Sequence, residues 1–128
     1  MSYILLVEDN QENADMVIRL LRAANYRVRH CLRGLDGARM ARQELPALIL
    51  MDFNLPDIDG RTLVLQLKKQ LGGPSAPPIV ALTARTGDHE MRIAQSFGCT
   101  AFISKPFVPE KFLEIIKSLV PTPNHESS

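Results

Sequence analysis

The chain has 128 residues, 45% of them hydrophobic, and its 15 Lys+Arg nearly cancel its 14 Asp+Glu. That length suits one domain with a core of its own, and with the charges balanced, bulk electrostatics argues for no particular partner. Cys31 and Cys99 lack metal-type spacing and read as buried thiols. With no signal peptide and no apolar run near the roughly 20 residues of a membrane span, the expectation is a soluble cytoplasmic protein that does not engage a membrane.

In chain order, the apolar run Tyr3–Val7 ends in Glu8-Asp9, and Ala14, Val17, Ile18 and Leu21 then follow helical spacing. Arg27–Cys31 is a more polar run, followed by a short helical face of Ala38, Ala41 and Leu45. Ala47–Met51 runs straight into Asp52. An Asn-Leu-Pro turn follows, in which Asp57 and Asp59 suit turn and cap positions, and Leu63, Leu67 and Leu71 mark a third helix. Ile79–Leu82 leads into Thr83, and Met91, Ala94 and Phe97 form a thin stripe closed by Gly98. Ala101–Ser104 leads into Lys105-Pro106, and Phe112, Ile115, Ile116 and Leu119 form the last helical face, with Pro109 in its first turn. Residues 1–120 read as the domain, and 121–128 as a disordered tail or the start of a linker.

Strand and helix alternate five times, which predicts an α/β fold: a parallel sheet with helices on both faces. "YILLV", "ALILM" and "IVAL" are apolar throughout, as central strands are, whereas "RVRHC" and "AFIS" suit edges. The pattern fits the flavodoxin-like order 2-1-3-4-5.

Such sheets bind ligands beyond the carboxyl ends of their strands. There the chain delivers Glu8 and Asp9, Asp52, Thr83 and Lys105: three carboxylates, a hydroxyl and an ammonium. Carboxylates this close repel, and a hard divalent cation relieves them. An oxygen donor set with no His or Cys points to Mg²⁺ and away from zinc. A nucleophilic carboxylate beside a metal, a lysine and a hydroxyl describes phosphoryl transfer to aspartate.

The segments "ILLVEDN", "LILMDFNLPDIDG", "IVALTA" and "FISKPF", in this order and spacing, resemble the receiver domain of two-component response regulators over roughly residues 3–120. The resemblance implies Asp52 as phosphoacceptor and Mg²⁺ held by Asp9, Asp52, the backbone carbonyl of Asn54 and, through water, Glu8. It also implies phosphoryl contacts from Thr83 and Lys105, a cis Lys105–Pro106 bond, and a switch built on Thr83 and Phe102. A sensor histidine kinase or phosphotransfer protein would supply the phosphoryl group, and an effector protein or fused domain would read it. The protein would catalyse only its own phosphorylation and dephosphorylation. Glu8 stands where many members have Asp, which changes reach and not charge, and Phe102 stands where many have Tyr, which removes a hydroxyl.

An alternative is a Mg²⁺-dependent phosphohydrolase with an aspartyl-phosphate intermediate. That chemistry wants a second acid two residues past the nucleophile, where this chain has Asn54. A flavin module would need a phosphate-cradling loop after the first strand, where "VEDNQEN" is acidic. The arginines at 19, 22, 27, 29, 33, 39 and 42 join no aromatic stacking pattern or recognition helix, which argues against nucleic acid. His30, His89 and His125 are scattered and default to the surface.

Overall fold

The structure, a computed structural model, describes residues 2–83 and 88–121. All of the expected tail except Pro121 lies outside them. Every apolar run forms a strand and every helical face a helix: β1 (Ile4–Val7), α1 (Gln11–Ala23), β2 (Val28–Cys31), α2 (Gly34–Gln43), β3 (Leu48–Asp52), α3 (Gly60–Gln70), β4 (Ile79–Thr83), α4 (Asp88–Ser96), β5 (Ala101–Ser104) and α5 (Pro109–Leu119). A 3-10 turn, Gly73–Ser75, precedes β4.

The strands form one parallel sheet in the order β2-β1-β3-β4-β5. Successive side chains of a strand point to opposite faces, so each central strand feeds two cores. Leu5, Val7, Ile49, Met51, Ile79 and Ala81 pack beneath α2, α3 and α4, against Ala38, Ala41, Leu63, Leu67 and Ala94. Ile4, Leu6, Leu48, Leu50, Val80 and Leu82 pack against Val17 and Leu21 of α1 and Phe112 and Ile116 of α5. The residues of β1, β3 and β4 are all buried, whereas β2 exposes Arg29, as an edge strand does.

Several boundaries differ from the sequence pattern by a residue or two. β3 and β4 extend by one residue, to Asp52 and Thr83, because the ladder pairs Asp52 with Leu82 and Thr83 with Ser104 whatever their polarity. Leu45 does not continue the face of α2 but is 55% exposed. The helix stops at Gln43, and Leu45 precedes Pro46, whose ring disfavours helical backbone at the residue before it. Cys31 and Cys99 are both free and buried, as expected.

Candidate functional site

The register of the sheet sets the site. β1 and β3 run abreast with Val7 opposite Met51, so Glu8 and Asp52 follow one step beyond the same rung. Both then share the parity of Leu6 and Leu50 and lie on the α1/α5 side of the sheet. Glu8 is fully buried, Asp52 is 6% exposed and Thr83 2% exposed, while Asp9 is exposed. One carboxylate oxygen from each of Glu8, Asp9 and Asp52 lies within 4.8 Å of the others. Such a donor set, hard oxygen from three sides with one member open to solvent, fits a Mg²⁺ ion that retains water.

Lys105 is brought in from β5. Its backbone N–H donates to the Thr83 carbonyl at 2.7 Å, and the Lys105–Pro106 bond that follows is cis. The ammonium donates to Glu8 Oε1 at 2.6 Å and to Asp52 Oδ2 at 2.9 Å. Burial pushes the Glu8 carboxyl above its ordinary range, although the Lys105 ammonium and the Asn10 amide pull it back. Burial also disfavours the charge on Lys105, but the bonds to Glu8 and Asp52 outweigh it and leave the lysine more basic than usual. The other oxygen of Asp52, Oδ1, accepts from the Asn54 N–H at 2.8 Å. Asp52 is therefore steered from both sides.

Asn54 begins a loop that is closed at its base. Asn54 and Asp59 form an isolated antiparallel bridge, and the Gly60 N–H donates to the Phe53 carbonyl at 3.3 Å. Gly60 is required there, since a Cβ would sit 2.6 Å from Phe53 Cα. Asp59 caps α3 by accepting from the Arg61 N–H at 2.8 Å, with the Arg61 side chain also against it. Asp57 is a cap too, but of α2 and not of its own helix.

The cap of α1 is Asn10, whose side chain accepts from the Asn13 N–H at 2.9 Å, which leaves Asp9 to the acid cluster. His30 departs from the surface expectation: it is half-buried, with Nε2 2.8 Å from the Glu8 carbonyl oxygen. The side chain of His89 and all of His125 lie outside the description. Phe102 is half-buried and packs on the α2–α4 side of the sheet. Beside Glu8 and Lys105 a cavity of about 350 Å³ opens between Asn13, Met16 and Val17 of α1 and the Pro106–Phe107 segment.

Sheet order, strand-end acids and the lysine beyond β5 define a receiver. Residues 4–117 match the family model described as the response regulator receiver domain, and the chain belongs to that family. It is 38% identical over 117 residues to the polar-differentiation response regulator DivK of Brucella anthropi, covering 90% of this chain and 93% of that one. The chemotaxis response regulator CheY4 of Vibrio cholerae superposes with a TM-score of 0.86 at 27% identity, covering 94% of this chain and 99% of that one. The receiver domain of the sensor histidine kinase PA1611 of Pseudomonas aeruginosa superposes at 0.82 with 31% identity, over 92% and 96% of the two chains. That structure has a magnesium ion coordinated in its active-site cleft. Among the described residues, no helix is long and apolar enough to cross a membrane.

Proposed function

We propose that Asp52 of this response-regulator receiver accepts a phosphoryl group from a phosphohistidine of a sensor histidine kinase or phosphotransfer protein in the cytoplasm. A downstream effector protein or fused domain reads the result. The observation that carries this is the environment of Asp52: a nearly buried carboxylate at a strand end, bonded to Lys105 and the Asn54 amide, with Glu8 and Asp9 oxygens within 4.8 Å.

In the transfer, an Asp52 carboxylate oxygen attacks phosphorus. The P–N bond to the donor imidazole breaks, and the imidazole keeps the electron pair and takes up a proton. Lys105 then meets a phosphoryl oxygen in place of part of its contact with Asp52, and the Thr83 hydroxyl donates to another. Glu8, Asp9, Asp52 and the Asn54 carbonyl would hold Mg²⁺, and when bound the ion supplies positive charge for the phosphoryl oxygens. The magnesium in the PA1611 receiver supports that assignment. The 350 Å³ cavity beside Lys105 gives a donor side chain an approach along α1. Water attack on the phosphoryl group restores the carboxylate, so the domain turns over only its own modification. Thr83, drawn toward the phosphate, makes room for Phe102 to turn inward, which alters the face of α4, β5 and α5.

Incubation with acetyl phosphate and Mg²⁺ should add one hydroxylamine-labile phosphoryl group, seen by intact mass, and Asp52→Asn should abolish it. Full labelling of that variant would sink the assignment. With beryllofluoride as the phosphate mimic, amide shifts should reach Phe102 and its neighbours; shifts confined to the pocket loops would refute the switch.

A further inference from the structure

The loop that carries Asn54 is fastened at its tip as well as at its base. Both carboxylate oxygens of Asp57 are used: Oδ1 accepts from the Gly34 N–H and Oδ2 from the Leu35 N–H, each at 2.9 Å. These are among the first amides of α2, which have no partner inside the helix. The local N-cap, Arg33, makes no side-chain cap bond. The tip is also pressed onto Gly34, where a Cβ would lie 2.5 Å from Ile58 Cγ2 and 3.1 Å from Leu55 Cδ1. Burial raises the Asp57 carboxyl, but the Leu35 and Gly34 amides outweigh it and hold it below the usual aspartate value. The cap is anionic at neutral pH.

We propose that Asp57 is a positioning residue for the metal site: by tying the tip of the Asn54 loop to the first turn of α2, it sets the place of the Asn54 carbonyl and couples Mg²⁺ binding to order at Gly34 and Leu35. This rests on the reading of Asn54 as a metal ligand. The Asn54–Asp59 bridge closes the base of the loop, and only Leu55 and Pro56 separate Asn54 from Asp57, so a tip that shifts would pull on Asn54 through them. Coupling between sites is reciprocal: whatever Asp57 contributes to Mg²⁺ affinity, Mg²⁺ returns as protection of the two α2 amides. A serine at position 33 would satisfy the same helix end locally and leave the loop untied.

The test is a Mg²⁺ titration of the whole chain by calorimetry, with hydrogen exchange at Gly34 and Leu35, on wild type, Asp57→Asn, Asp57→Ala and Asp57→Ala/Arg33→Ser. Asp57→Ala should weaken the Mg²⁺ Kd about fivefold, below the roughly 10–100-fold usual for residues that support metal ligands, and Asp57→Asn by less. The double variant should recover melting temperature without recovering Mg²⁺ affinity. In the wild type, Mg²⁺ should slow exchange of the Gly34 and Leu35 amides. If affinity returns together with stability in the double variant, Asp57 is a helix cap alone and the proposal fails. It also fails if wild type binds Mg²⁺ while its two amides ignore the ion, a result that needs no variant to fold. A wild type that binds no Mg²⁺, or Asp52→Asn binding as tightly as wild type, overturns the metal-site reading itself.

Discussion

Replacing Asp9 by Asn removes one of three crowded carboxylates while keeping the side chain's size. At 4.8 Å, two unit charges repel by about 0.9 kcal/mol in water-like surroundings and by about 3.5 kcal/mol at an effective dielectric near 20. Asp9 is exposed, so the lower figure applies to each neighbour, and the Lys105 ammonium already screens Glu8 and Asp52. A gain of about 1 kcal/mol without metal is expected, a rise of roughly 3–5 °C in melting temperature for a domain of this size. Wild type should instead gain from the cation: Mg²⁺ at ten times its Kd adds about 1.4 kcal/mol, or roughly 4–7 °C. Differential scanning fluorimetry with and without Mg²⁺ reads both. The two proteins should move in opposite ways, the variant melting higher without metal and responding less to it. Because Asn10 and not Asp9 caps α1, a lost cap is no explanation for a variant that melts lower. Such a fall would refute the repulsion argument, and an undiminished Mg²⁺ response would take Asp9 out of the metal site.

Lys105→Met leaves fully buried Glu8 beside Asp52 without its cation, and should cost about 3 kcal/mol in thermal or denaturant unfolding without metal. Mg²⁺ should stabilise this variant more than wild type, since the ion replaces the missing charge; an equal response would count against a shared site. The carboxyl of Asp57 titrates below its unfolded value, so its contribution is complete above about pH 4 and is lost as pH falls through the folded value. The melting-temperature gap between wild type and Asp57→Asn should therefore narrow on acidification below pH 5, and a gap constant down to pH 3 would show that the charge is irrelevant. Burial pushes the Cys99 thiol up to about 12 and raises Cys31 as well, so a thiol reagent at pH 8 should label neither in the native protein and both after unfolding.

The fold could be read because the sheet's hydrophobicity is unequal. Runs buried on both faces had to be central, and the arginine-bearing run had to be an edge. The site could be read because Asp52 and Thr83 end strands and Glu8 and Lys105 directly follow others, where polarity interrupts an apolar run and so stands out. What escaped was contact between segments far apart in sequence. Asp57 looked like a residue of its own turn, yet its partners lie 22 and 23 residues earlier, and no local pattern announces them. His30 looked like an edge-strand surface residue, but β2 pairs beside β1 in a register that brings its imidazole to the Glu8 carbonyl. Asp9 and Asn10 are both residue types that cap helices, and only the structure shows that the Asn10 side chain takes the Asn13 amide. Leu45 differs in kind: it keeps the helical spacing, but Pro46 directly after it marks the end of the helix in the sequence itself.

The most direct measurement is to trap the acyl phosphate chemically. After incubation with acetyl phosphate and Mg²⁺, borohydride reduces an aspartyl phosphate to homoserine, and peptide mass mapping locates it. Homoserine at position 52 alone, absent when acetyl phosphate is omitted, is the expected result. Homoserine at position 9, 57 or 59 with Asp52 intact, or none at all in a protein shown to be folded, contradicts the assignment of Asp52 as phosphoacceptor.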